Sequence, residues 1–154
     1  CCTSPGGDMP SYPFHLIPED LTPEKRFLKL VGISDTRRDQ EWQAEHPQQL
    51  QAMIKGVLEA QIPDHDSSAS RMGARRQLKA RSHHDVSDAL SSIDRPTMIC
   101  AGRYDGIAPA ENQHHMASLI PNAVLRWYEG GHMFMIQDKN AWTDIIAFLN
   151  TSAS

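Results

Sequence analysis

The sequence predicts an α/β protein whose N-terminal part is helical and whose C-terminal part is a strand, helix, strand, helix unit. Three observations support this fold class. The apolar run at residues 97–101 lies between a proline and a glycine, as expected for a short strand that is buried on both faces. A second apolar run, Val124–Tyr128, follows a segment with helical periodicity. Residues 21–90, in contrast, carry helical patterns throughout.

Residues 1–18 are rich in glycine and proline, and we expect an irregular segment that leads from the core into the helical region. Gly6 and Gly7 favour a positive φ or close backbone packing, because glycine adopts either without strain. A phosphate-binding turn is the alternative. Such turns lie between a strand and a helix, and neither is predicted around this pair.

Residues 19–92 form the predicted helical region. Thr22 can cap the first helix, Pro23 takes its first position and Gly32 ends it. The predicted helices span residues 23–32, 39–45, 50–62, 67–81 and 85–90. The fourth carries a basic cluster that either steers an anionic substrate or forms a solvated face: Arg71, Arg75, Arg76, Lys79 and Arg81.

Residues 93–154 form the predicted core segment, with strands at 97–101 and 124–128 and helices at 110–119 and 141–149. A strand, helix, strand order predicts two parallel neighbours joined by a right-handed crossover. Asp105 follows the first strand and His132 follows the second. Both side chains are therefore expected beyond the carboxyl ends of parallel strands, where open α/β sheets place their chemistry.

An acid and a histidine at this edge suit acyl transfer to a nucleophile. Imidazole titrates near neutral pH, so it can take a proton from the nucleophile and return it to the leaving group. A carboxylate bound to the other ring nitrogen fixes the tautomer and stabilises the imidazolium. We predict His132 as the base and Asp105 as the acid that orients it.

The segments at 96–105 and 131–132 resemble the C-terminal portion of α/β-hydrolase-fold enzymes, nearest to lactonase-like and esterase-like members. In that family an Asp follows a strand that reads P-T-L-V-I-x-G-x-x-D, a His follows a strand that ends in G-H, and a helix closes the chain. The resemblance implies that residues 1–18 leave a core strand, that 19–92 form a helical lid (cap), and that 93–154 are the last core segment. It also implies a nucleophile–His–acid triad that includes Asp105 and His132.

The family's nucleophile lies in a G-x-S-x-G turn ahead of the lid, and this motif is absent from the sequence. The segment at 32–36, Gly-Ile-Ser-Asp-Thr, comes nearest but lacks the second glycine. We therefore expect the chain to be a fragment that is inactive alone, with the nucleophile upstream of Cys1. Its expected partner is the missing N-terminal half of the fold or a second copy, because the strand at 97–101 would otherwise expose an apolar edge.

The resemblance implies a hydrolase that acts on a small ester, lactone or related carbonyl compound. Two alternatives stay open. An aspartate nucleophile, as in epoxide hydrolases and dehalogenases, fits the same fold, and so does a non-catalytic binding or receptor protein. Substrate contacts are assigned to four residues, each of which could instead fill the core: Met133, Phe134, Trp42 and Met53.

Composition limits the remaining classes. A net charge of −4 argues against nucleic acid or an anionic membrane surface as a partner. Cysteines occur only at Cys1, Cys2 and Cys100, an odd set that predicts reduced thiols in a cytoplasmic protein. The adjacent histidines at 83–84 and 114–115 point in different directions on a helix, so no metal site is predicted, and no cofactor is expected.

Overall fold

A computed structural model describes residues 4–59 and 67–152 of the chain. The helical region contains α1 (Pro23–Ser34), α2 (Gln40–Glu45), α3 (Pro47–Glu59) and α4 (Ser68–Ser82). The C-terminal segment contains β1 (Met98–Gly102), α5 (Ala110–Leu119), β2 (Val124–Tyr128), α6 (Phe134–Gln137) and α7 (Ala141–Ser152). Short 3₁₀ helices occur at Phe14–Leu16 and Ser87–Ser92.

Local sequence signals explain where the helices begin. The side chains of Thr22, Asp39 and Ser67 accept backbone N–H groups at the starts of α1, α2 and α4. α1 continues two residues beyond the predicted stop at Gly32, because Gly32 lies in ordinary helical backbone and the chain leaves the helix only at Asp35. The predicted end of α3 near residue 62 lies outside the described residues.

The segment before α1 has the backbone conformation that its two glycines predict. Gly6 and Gly7 have φ angles of +84° and +56°, and the N–H of Gly7 donates to the carbonyl oxygen of His84 at 3.1 Å. The segment therefore packs closely against the chain that follows α4. Its 3₁₀ helix was not expected, since residues 14–16 carry no capping or periodic signal.

β1 and β2 pair in parallel, with Met98 opposite Val124 and Gly102 opposite Tyr128. This confirms the predicted pairing of the two strands. Successive side chains of a strand alternate between its faces, and two hydrophobic clusters use this alternation. Ile99 packs with Met116 of α5 and with Ile120 directly after this helix on one face, whereas Cys100 and Tyr128 pack near α6 and α7 on the other.

The closing helix departs from its prediction on one face. Its sequence predicts one apolar face made of Ala141, Ile145, Phe148 and Leu149. Ala141 is fully buried, but Leu149 is 60% exposed. α7 extends to Ser152, and the rotation accumulated along the helix carries Leu149 away from the cluster around Tyr128. α6 was also missed, because four residues are too few to show a period.

Within residues 4–59 and 67–152, no helix has the length and apolar character needed to cross a bilayer. Cys100 is a free thiol, and Cys1 and Cys2 lie outside the described residues.

We predict that Ile99→Ala lowers the free energy of unfolding by about 2–4 kcal/mol, because it empties a buried site between β1 and α5. Urea denaturation measures this loss. Ile136→Ala is the control, since Ile136 is 73% exposed and should change stability by less than about 0.5 kcal/mol. Equal losses in the two variants would contradict the assigned core.

Candidate active site

The turn after β1 fixes the carboxylate of Asp105. One oxygen, Oδ1, accepts the N–H groups of Ile107 at 2.7 Å and Ala108 at 2.9 Å. A carboxylate that bonds its own backbone two and three residues ahead closes the turn and loses its rotational freedom. The second oxygen, Oδ2, remains available on the side of the neighbouring turn.

The turn after β2 brings His132 beside this carboxylate because glycines allow the two strand ends to approach. A Cβ atom on Gly102 would lie 2.1 Å from the carbonyl oxygen of Gly131. A Cβ on Gly131 would lie 2.1 Å from the carbonyl oxygen of Ser34. Side chains at either position would push the turns apart. The Gly-Gly-His sequence is therefore a packing requirement as well as a turn signal.

His132 Nδ1 and Asp105 Oδ2 are 2.9 Å apart. The carboxylate side chain is only 7% exposed, whereas the imidazole is 31% exposed. An ionised carboxylate can only accept a hydrogen bond. Nδ1 therefore carries a proton and donates a hydrogen bond to Asp105. In the neutral ring Nε2 is then the free base. The two residues that the sequence singled out are thus in contact, and their catalytic role stays a prediction.

The segment Ser34–Arg37 holds both turns, and sequence reasoning missed it. Its backbone contacts each turn once. The N–H of His132 donates to the carbonyl oxygen of Ser34 at 2.6 Å, and the N–H of Thr36 donates to the carbonyl oxygen of Tyr104 at 2.9 Å. Tyr104 directly precedes Asp105. The end of α1 therefore sets the spacing between the acid and the base.

We call residues 34–37 the clamp. Its side chains add further contacts to the two turns. Asp35 is 2% exposed and binds the guanidinium of Arg37 at 2.7 Å and 2.9 Å. It also accepts the amide N–H of Gln137 at 3.0 Å, and the Gln137 oxygen accepts the N–H of Gly131 at 2.8 Å. The Arg37 guanidinium in turn lies 4.2 Å from the centre of the Tyr104 ring. One buried carboxylate thus links both turns.

Burial by itself would raise the pKa of Asp35, but the hydrogen bonds and the charge of Arg37, together with Gln137, lower the pKa below its ordinary value. Asp35 is therefore held as an anion. The sequence around Asp35 does not indicate that its side chain is buried, since an Asp after a helix and before two arginines usually lies in solvent. The contacts to Gln137 and Gly131 join residues about a hundred positions apart, which no local pattern reports.

A cleft of about 790 Å³ opens beside His132. Its walls come from the first segment, from the end of α4 and from Ile107 after β1. Three serines, four histidines and the side chains of Arg81 and Asp85 contribute polar groups, while Tyr12, Phe14 and Leu78 contribute apolar ones. His132 connects the Asp105–His132 pair to this cleft.

The four predicted substrate contacts are not among the residues that line the cleft. Phe134 is 8% exposed and stacks on Tyr128 at 5.2 Å between ring centres, so it fills the core. Trp42 stacks on His46 within the helical region, and Met53 is half-buried on α3. Met133 is exposed beside His132. The four residues were assigned to substrate because their side chains are large and apolar. Such side chains fill the core more often than they contact a ligand.

Cys100 is the one cysteine within the described residues, and its surroundings do not suit a nucleophile. Burial, the largest effect, raises the pKa of its thiol, although a hydrogen bond from Tyr128 opposes this. The pKa of Tyr128 is itself raised, chiefly by burial. A protonated thiol reacts poorly, since the thiolate is the nucleophile. In the described part of the chain, no group of three or more His, Cys, Asp and Glu side chains could hold a metal ion.

Known proteins resemble this chain in sequence over part of their length. No family model matches it. A putative carbamate hydrolase, RutD, from Pseudomonas syringae pv. syringae (strain B728a) is 36% identical over 94 residues, which cover 60% of this chain and 34% of the relative. A poly(3-hydroxyalkanoate) depolymerase from Ectopseudomonas oleovorans is 35% identical over 79 residues, 51% of this chain and 28% of the relative. The chain thus matches about a third of each relative.

Solved structures match most of the chain. The meta-cleavage product hydrolase of Pseudomonas fluorescens IP01 superposes with a TM-score of 0.66 and 14% identity over 96% of this chain and 53% of its own. The enol-lactonase of Burkholderia xenovorans LB400 superposes with a TM-score of 0.58 and 19% identity over 82% of this chain and 45% of its own. At these identities the likeness concerns the fold, of which the chain spans about half.

We predict that Asp35→Asn weakens the dependence of stability on pH. The lowered pKa of Asp35 means that the folded chain gains stability above the unfolded carboxyl pKa of about 3.9 and loses it as the pH falls through the folded value. The variant should be less stable than wild type by about 1–3 kcal/mol at pH 7, and this difference should shrink below about pH 4. Urea titrations at both pH values measure it.

The control for this prediction is Asp94→Asn, because the Asp94 side chain is 82% exposed. It should match wild type at both pH values. A constant difference between Asp35→Asn and wild type from pH 7 to pH 3 would contradict the charged clamp.

Proposed function

We propose that this chain, which has part of an α/β-hydrolase fold, is the C-terminal part of a hydrolase for a small ester, lactone or related carbonyl substrate. One observation carries the proposal, which is the contact of 2.9 Å between His132 and Asp105 beside a cleft. The named relatives support the substrate class, since a carbamate, a polyester and an enol-lactone all contain an acyl carbon that a nucleophile can attack.

In the proposed mechanism the nucleophile precedes residue 1 in the full polypeptide. Nε2 of His132 takes the proton of the nucleophile's hydroxyl as its oxygen attacks the substrate's carbonyl carbon. Asp105 accepts the Nδ1–H bond throughout and stabilises the imidazolium that forms. The imidazolium then gives the Nε2 proton to the leaving oxygen or nitrogen as the carbon–leaving-group bond breaks. An acyl-enzyme remains.

Water completes the cycle by the same route. Nε2 takes one proton from water, the resulting oxygen attacks the acyl carbon, and the ester bond to the nucleophile breaks while Nε2 returns the proton to the nucleophile's oxygen. The products are a carboxylic acid and the free nucleophile. His132 must therefore be both accessible and fixed, which agrees with an imidazole that is 31% exposed and bound to a buried carboxylate.

We also propose that residues 19–92 act as the lid over this site. The end of α4 lines the cleft, and the clamp after α1 binds both catalytic turns. Substrates would then be selected by the helical region, whereas the chemistry resides in the turns after β1 and β2.

Loss of His132 tests the proposed chemistry. In the full polypeptide we expect His132→Ala and Asp105→Asn each to lower kcat/KM for p-nitrophenyl acetate by about 10²- to 10⁴-fold, because the first removes the base and the second its tautomer control. The control is His114→Ala, an exposed histidine that packs on Trp127 away from the cleft. It should retain wild-type activity.

Equal rates for wild type and His132→Ala would favour the non-catalytic class of this fold. An Asp nucleophile would instead be revealed by turnover of an epoxide or haloalkane that depends on His132, with no turnover of the ester.

We expect the chain without its preceding half to associate. β1 and β2 form a two-stranded parallel sheet, so each strand has one edge that another strand could pair with. Light scattering after size exclusion should show dimers or larger species. Addition of the N-terminal half of the fold should convert them to a one-to-one complex, whereas a stable monomer of the isolated chain would contradict the proposal.

A further inference from the structure

The cleft beside His132 has a cationic group that the proposed reaction does not use. We propose that the substrate carries a carboxylate in addition to its reactive carbonyl, and that Arg81 binds this carboxylate. The inference deepens the proposed function and rests on it for the position of the reactive carbonyl. Its own evidence is the environment of Arg81.

Arg81 is held in place by two residues of the first segment. Its guanidinium donates to the Ser11 hydroxyl, and its central carbon lies 4.8 Å from the centre of the Phe14 ring. Both partners line the cleft together with Arg81. A guanidinium that is already stacked and bonded loses little further freedom when it binds a planar anion.

Among residues 4–59 and 67–152, no carboxylate pairs with the guanidinium of Arg81. Within the described part of the chain, no ion pair involves Arg81, whereas Arg75 pairs with Glu19 at 2.9 Å and Arg37 pairs with Asp35. Asp85 is the one acidic side chain on the cleft wall among these residues. Its Oδ1 accepts the N–H of Ser87 at 3.1 Å. The other titratable groups of the wall, apart from Tyr12, are histidines, which carry no negative charge.

Arg81 also differs from the rest of the basic cluster on α4. Of its five members, Arg81 alone is on the wall of the cleft, and the other four lie outside it. Long-range attraction of an anion would involve all five basic residues nearly equally, whereas direct binding in the cleft would involve Arg81 alone among them. A single guanidinium suits a monoanionic carboxylate better than a phosphate dianion, which needs several donors.

Arg81 and His132 border the same cleft, and under this proposal one small molecule contacts both. The carboxylate contact would be made equally before and during the reaction. Such uniform binding lowers KM and leaves kcat unchanged. The expected substrate is therefore a half-ester, a carboxylated lactone or a similar compound in which a short linker joins the carboxylate to the acyl carbon.

The test compares two esters in the full polypeptide at about 0.15 M salt, where exposed charges are screened beyond about 8 Å. One is p-nitrophenyl hydrogen glutarate, an anion, and the other is neutral p-nitrophenyl pentanoate. We expect Arg81→Met to lower the ratio of kcat/KM for the anionic over the neutral ester by about 10- to 100-fold, mainly through KM. Arg81→Lys should recover part of this loss, because the charge is restored without the planar fork.

The matched control is Arg76→Met, which removes the same charge from an exposed position of the same helix outside the cleft. It should leave the ratio within about twofold of wild type. Equal changes in Arg76→Met and Arg81→Met would overturn the proposal, because they would show long-range attraction without a binding contact. An unchanged ratio in Arg81→Met would also overturn it.

A binding measurement separates this inference from the proposed chemistry. In a His132→Ala background, calorimetric titration with monomethyl glutarate should show binding that Arg81→Met weakens by about 10-fold or more. Dimethyl glutarate should bind equally weakly to both proteins. If neutral-ester turnover is independent of His132, the proposed reaction fails. If the monoester binds no better than the diester, the carboxylate site fails.

Discussion

The arrangement of the candidate site depends on the close approach of two strand ends. β1 and β2 are hydrogen-bonded neighbours. β1 ends at Gly102 and the turn after β2 contains Gly130 and Gly131, so the turn with Asp105 and the turn with His132 can touch. A single Cβ atom at Gly102 would lie 2.1 Å from the backbone of the second turn. The hydrogen bond of 2.9 Å between acid and base follows from this backbone contact and needs no long or flexible side chain.

The clamp adds a second constraint, which links the helical region to the turns that carry Asp105 and His132. Asp35 is buried and charged, and such a group is stable only while its partners remain in place. Those partners are Arg37 and Gln137. The neighbouring backbone of Ser34 and Thr36 contacts both turns. Displacement of α1 would therefore be expected to disturb the geometry of His132. This coupling gives the helical region a role in the position of His132.

Much of this organisation could be predicted from the sequence because it depends on local signals. The strand at 124–128 and the helix at 110–119 were predicted with their observed bounds, since a proline, a glycine or an apolar run marks each end. Asp105 and His132 were found because their turns have distinctive sequences. The clamp was beyond such reasoning, and the sequence identified Arg81 only as one of five basic residues. Asp35 contacts Gln137 only because the fold brings these distant residues together. Arg81 differs from the other basic residues of α4 only because it lines the cleft.

The central claim is that Asp105 keeps the proton of neutral His132 on Nδ1 and leaves Nε2 free as a base. Nitrogen-15 NMR of histidine-labelled full polypeptide measures this directly, because protonated and unprotonated ring nitrogens have distinct chemical shifts. At a pH where the ring is neutral, the account predicts a protonated Nδ1 in wild type and a shift of the proton towards Nε2 in Asp105→Ala. A proton that resides on Nε2 in wild type, or a tautomer unaffected by Asp105→Ala, would contradict the account.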